Sequence, residues 1–205
     1  MKATLFTEEH REIKSDSLFA LQNETLLRAR LSAERRIVVR TDAVVATQGS
    51  IKFSPLEELS EHHSPYVCGE GEGSVFVASE ANHVHLILLE DEGLTVNGLH
   101  VLAFNEELKF QAHSKRLPGL EDRHWGVHLF GRGSLAITTR GKPLLLKTID
   151  GKARTDLAST VAWASSLTPK LKESTRFEKE DPRPRAERFY YSFEGDGWII
   201  VQPGK

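Results

Sequence analysis

One cysteine, Cys68, stands among 205 residues, which excludes an internal disulfide and leaves no cysteine pair for a zinc knuckle or a redox couple. Long apolar runs are also missing. Leu86-Ile87-Leu88-Leu89 is among the longest at four residues and Leu144-Leu145-Leu146 is shorter, both far below the roughly 20 residues of a membrane-crossing helix, so no transmembrane segment is expected. Neither charge sign dominates: 27 Lys and Arg face 29 Asp and Glu, a net charge of −2. A phosphate backbone would meet no field, so nucleic acid is not expected as a partner. The start, Met1 to Arg11, is charged early and lacks the apolar stretch of a secretion signal, which points to the cytoplasm. There is no Gly-x-Ser-x-Gly elbow, and Cys68 has no catalytic signature around it.

A hydrophobic share of 39% and a charged share of 27% are ordinary for a globular chain, so a sizeable core can form. Gly71-Glu72-Gly73-Ser74 and Gly131-Arg132-Gly133-Ser134 each lead into an apolar run, and Gly73 and Gly133 lie 60 positions apart. A third start is Gly195-Asp196-Gly197. A second series, Val44-Val45-Ala46, Leu102-Ala103-Phe104 and Val161-Ala162-Trp163, recurs at a similar interval. These series predict three pseudo-repeats in a single domain over 1–205, at 18–53 plus 189–203, 69–112 and 127–168. In that phase the last strand, near 195–201, closes the sheet beside the N-terminal copy.

Asn97-Gly98, between Leu94–Val96 and Leu99–Leu102, predicts a two-residue hairpin turn, and Arg140-Gly141-Lys142, Asp150-Gly151 and Asp196-Gly197 punctuate other short β-rich runs. Val75-Phe76-Val77-Ala78 and Trp198-Ile199-Ile200-Val201 are apolar on both strand faces, as burial between two layers demands. The expected fold is all-β, a double-layer sandwich or flattened barrel, with one short connector helix at Ser54–His62. There Ser54 caps, Pro55 takes the first helical position and Glu57 completes a capping box. Residues 168–188, with Pro169, Pro182 and Pro184, read as an exposed loop.

The sharpest polar constellation is His83-Val84-His85 with Glu90. Two histidines at i and i+2 on a strand share a face, and imidazole with carboxylate is a ligand set for a divalent transition metal. His100 is the nearest third imidazole. The set resembles half of a cupin metal motif. Matching Gly73 to Gly133 puts Pro143, Leu145 and Asp150 where His83, His85 and Glu90 stand, so the sister strand does without histidine. The favoured reading therefore assigns no catalytic, cofactor or metal residues. His124 and His128 read as loop and strand histidines, and His62-His63 as connector residues facing water. The Gly-x-Gly starts lack the third glycine and following helix of a dinucleotide site.

Together, Val44 to Ser50, Gly71-x-Gly73, Leu94-Thr95-Val96 through Phe104, Gly131-x-Gly133, Val161-Ala162-Trp163 and Phe193-x-Gly195-x-Gly197-Trp198-x-x-Val201-Gln202-Pro203 resemble the altered inheritance of mitochondria protein 24 family, in a bacterial form. The likeness runs from about residue 18 to 203. It implies a β-sandwich of the tryptophan RNA-binding attenuator protein-like type and brings no catalytic residues. Arg183-Pro184-Arg185-Ala186-Glu187 departs from the Gly-rich element expected before the last strand. Three functions follow as expectations. The first is a non-enzymatic scaffold or interaction protein forming homo-oligomers. The second is a cupin-like metal enzyme using His83, His85, Glu90 and His100. The third is small-molecule or RNA binding by analogy of fold.

Overall fold

The computed structural model describes residues 3–56, 65–116, 123–173 and 189–203. One short helix, α1 (Ala3–Glu9), precedes β1 (Phe19–Leu21), β2 (Leu27–Leu31), β3 (Ile37–Arg40), β4 (Val44–Pro55) and β5 (Tyr66–Val77). Then come β6 (His83–Asn97), β7 (Val101–Asn105), β8 (Lys109–Arg116), β9 (Arg123–Thr139) and β10 (Leu144–Lys147). The chain finishes with β11 (Lys152–Asp156), β12 (Thr160–Ala164), β13 (Thr168–Glu173), β14 (Phe189–Glu194) and β15 (Trp198–Val201). The all-β expectation holds.

A 12-stranded antiparallel sheet runs in the order β1-β2-β5-β3-β7-β9-β6-β12-β15-β10, with β4 added on β5 and β8 on β9. A second sheet holds β11-β14-β13. The large sheet is open, with β1 and β10 at its ends, so the layers form a sandwich rather than a barrel.

Three apolar clusters explain why several strands are apolar on both faces. The central cluster takes Val38 from β3, Val101 and Phe104 from β7, Leu135 and Ile137 from β9, and Val161 and Ala162 from β12. The intervening residues of the same strands, Ile37, Val39, Leu102, Ala103 and Ala136, turn the other way into a second cluster with Leu27, Val75 and Val77. On the far side, Trp163 and Ile199 join Phe189, Tyr191 and Phe193 in a third cluster under the small sheet. The period-2 alternation of a strand thus feeds two cores at once. Trp198 and Ile200 pack on the central cluster while Ile199 and Val201 pack on the third. Each fully buried large side chain contributes roughly 1.5–3 kcal/mol by leaving water.

The glycine starts have a backbone cause. Gly71 and Gly73 adopt φ of +124° and +148°, and Gly49 faces Gly73 across the β4–β5 ladder with φ of +92°. A Cβ on Gly73 would lie 1.9 Å from the Gln48 carbonyl oxygen. Only glycine lets these backbones run so close.

The recurring alanines also mark one local event. Register shifts by one residue between Val44 and Ala46 in β4–β5, between Val101 and Ala103 in β7–β9, and between Thr160 and Ala162 in β12–β15.

The expected phase is corrected by these pairings. Each alanine strand pairs with the glycine strand that follows it, so Val44–Ala46 belongs with Gly71–Gly73 and not with residues 195–201. β15 lies between β12 and β10, far along the sheet from β1 and β2, and does not close on the N-terminal strands. β4 reaches β5, the next strand, by one connection, whereas the expected closure requires the last strand to return across the whole molecule.

Three local expectations also change. Ser54 and Pro55 continue β4 opposite Cys68 and Val67 instead of starting a helix, and 57–64 lie outside the described residues. Extension of a ladder already nine pairs long outweighs the capping signals, and Pro55 at the end of an edge strand loses no ladder bond. Residues 168–173 form β13 on β14 rather than loop, with Pro169 again on an edge strand, and 174–188 lie outside the described residues. Asn97-Gly98 makes no hairpin. It enters a 3-10 turn at Gly98–His100, because β6 and β7 flank β9 and do not pair with each other. Likewise Arg140 to Lys142 links β9 to β10, which pairs with β15. Asp150-Gly151 is a true two-residue turn: Ile149 and Lys152 exchange backbone hydrogen bonds, with φ of +51° and +68° between them.

Candidate functional site

β6 carries His83 and His85 opposite Thr139 and Ile137 of β9. His85 Nε2 lies 2.7 Å from Thr139 Oγ1. Thr139 donates its own proton to the Gly141 carbonyl at 2.8 Å, so its oxygen accepts from His85 and the imidazole is protonated at Nε2. Burial, then the neighbouring His83, holds the His85 pKa below its usual range. His83 Nδ1 stands 3.7 Å from a Glu24 carboxylate oxygen.

Glu90 does not join them. It lies five residues beyond His85 in a regular ladder, about 16 Å along the strand and on the opposite face. His100 sits in the 3-10 turn and donates from Nδ1 to the Thr138 carbonyl at 2.9 Å. Burial lowers its pKa to about 4, with Arg40 and Arg140 acting in the same direction against the Thr138 bond. Among the described residues no group of three or more His, Cys, Asp or Glu side chains is placed to hold a metal ion.

The densest polar construction is the turn around His100, which no motif announced. Tyr66 of β5 donates to the Gly98 carbonyl at 2.7 Å, and buried Arg40 of β3 donates to the Leu99 carbonyl and, at 2.6 Å each, to Asp42 and Ser79. Asn97 donates to the Thr160 carbonyl at 3.2 Å and accepts from the Leu99 amide. Four strands therefore converge on one turn through groups that satisfy one another. Such a construction positions backbone.

A shallow hollow of about 330 Å³ is lined by Ser32, Arg36, Ser50, Lys52 and Glu70. Arg36 is bound to Glu106 at 2.8 Å and stands 3.9 Å from Glu70, so its cation is already answered. Cys68 nearby places Sγ 3.6 Å from a Glu106 oxygen, and burial followed by that carboxylate raises its pKa to about 11. The thiol stays protonated and unreactive at neutral pH. His128, the described half of the His124–His128 pair, bonds Thr95 at 3.0 Å and stacks on Phe130. His62-His63 and the side chain of His124 lie outside the described residues.

The family described as Mitochondrial biogenesis AIM24 matches residues 19–204. The chain belongs to the AIM24 family. Among solved structures, the crystal structure of a Streptococcus pyogenes protein is similar at a TM-score of 0.72 and 15% identity, over 90% of this chain and 91% of that one. At that identity the likeness is one of fold. No curated protein matches. The AIM24 match spans all fifteen strands among the described residues and leaves α1 outside it. No helix among the described residues is long and apolar enough to cross a membrane.

Proposed function

We propose that this AIM24-family chain is a non-catalytic interaction protein, built from three diverged strand units, that assembles into homo-oligomers. The observation that carries the reading is the set of open strand edges. β10 pairs only with β15, and β4 pairs only with β5 along its twelve residues, so both present an unpartnered row of backbone groups among the described residues. Such rows are templates for pairing with another chain unless charge or bulges blunt them. Leu144 and Leu145 of β10 are exposed, and so is Phe53 of β4, beyond the irregularity at Val44–Ala46. The shared register shifts before Ala46, Ala103 and Ala162 support the three-unit origin. The mutual satisfaction of the buried polar groups around Gly98–His100 supports a structural over a catalytic use of them.

The test is sedimentation velocity and light scattering across a hundredfold range of protein concentration. Mass should rise above that of one chain within the range. A single-chain mass throughout overturns the reading.

A further inference from the structure

The segment from Arg140 to Arg154 differs in charge from the rest of the chain. It holds Arg140, Lys142, Lys147, Lys152 and Arg154 against Asp150 alone, in a protein whose net charge is −2. The same segment exposes apolar side chains: Leu144 at 58%, Leu145 at 54% and Ile149 at 77%. The two-residue turn at Asp150-Gly151 holds Ile149 and Lys152 at its tip. Lys142, Lys147 and Lys152 take part in no ion pair among the described residues.

A second surface has the complementary character. Leu86, Leu88 and Glu90 alternate onto one face of β6, with the leucines exposed at 41% and 58%. Glu90, Asp91 and Glu92 follow at a ladder irregularity where Asp91 adopts φ of +64°. Asp91 is paired with Arg132 at 2.7 Å, while Glu90 and Glu92 have no ion pair among the described residues. β12 pairs with β6 only from Leu94 onward, so before that point the second edge of β6 faces no strand among the described residues. Each surface thus combines an open strand edge and two exposed leucines with an excess of one charge, basic on one although Glu194 lies opposite Lys152, and acidic on the other although Arg132 lies opposite Glu90.

We propose that copies of this chain associate head to tail, with β10 and the Asp150-Gly151 turn of one copy lying against Leu86–Glu92 of the next. This rests on the self-association reading above and names the surfaces that carry it. Edge pairing supplies backbone hydrogen bonds, the leucines leave water, and the opposite charges select the partner and the orientation. The contact is heterologous, so it closes into a ring or continues as a filament according to the rotation between copies. The outer edge of β4 fits the basic segment less well, because its only charged residue is Lys52.

Two charge-reversed chains test it: K142E/K147E/K152E and E90K/E92K, all at exposed positions, with circular dichroism checking that each remains folded. Each alone should show a self-association constant weakened at least tenfold. An equimolar mixture should regain assembly, because each chain supplies the charge the other lacks. Assembly of the unaltered chain should also weaken as salt shortens the range of the charges. Unchanged assembly of both variants overturns these surfaces while leaving self-association standing, whereas a chain that is monomeric before any substitution removes both readings. Unchanged assembly, with binding to vesicles of anionic phospholipid lost only in the lysine variant, assigns the basic segment to a membrane surface and overturns the proposal.

Discussion

The Tyr66 hydroxyl donates to the carbonyl of Gly98 at 2.7 Å, across a contact 32 residues apart in the chain. Burial pushes the Tyr66 pKa far above its usual range, so the donor persists at any pH at which the protein is folded. Tyr66→Phe keeps the ring and removes the donor. Because the Gly98 carbonyl still accepts from the Val101 amide, the expected loss is about 1 kcal/mol. Urea unfolding should show a lower midpoint with an unchanged slope.

His100 makes stability depend on pH. Its pKa falls from 6.5 to about 4 on folding, because burial disfavours the cation. The neutral form is the one the fold holds, so the contribution is fully present above pH 6.5 and is lost as pH falls toward 4. By linkage the loss between pH 7.5 and 5 amounts to about 2 kcal/mol from this residue. Urea unfolding at both pH values should show a smaller loss in His100→Asn than in the unaltered chain. Equal losses would mean that His100 is not the titrating group.

Two glycines separate steric from conformational demand. Gly131 has φ of +106° with nothing within 4 Å of an added Cβ, whereas Gly73 has φ of +148° and the Gln48 oxygen 1.9 Å away. Gly131→Ala should cost the backbone strain alone, about 1–3 kcal/mol. Gly73→Ala should cost more, since the β4–β5 backbones must also separate. Thermal melts of the two variants should rank them in that order, and the reverse order would mean the ladder yields easily.

The glycine and alanine spacings were legible because each marks a backbone event that few residues tolerate: a positive φ at Gly71, Gly73 and Gly131, and a register shift before Ala46, Ala103 and Ala162. The pairing of those strands was not legible. A recurring interval gives the period of a unit without saying where the unit begins, and the choice of phase led to a closure that β15 does not make. Asn97-Gly98 misled for a related reason: the dipeptide permits a tight turn, but the partner of β6 is β9, chosen by fifteen residues of ladder and not by two. The His83, His85 and Glu90 constellation failed on parity, because an odd separation along a strand places side chains on opposite faces. The polar turn around His100 carries no sequence signal, since its partners Arg40, Tyr66, Thr138 and Thr160 are spread across the chain.

β15 follows every other strand in the sequence and yet walls two of the three cores, the central one through Trp198 and Ile200 and the third through Ile199 and Val201. Neither of those cores, then, is sealed before β15 docks. Until it does, Trp163 and the central cluster present apolar surface, and the folding chain is at its most open to misassociation.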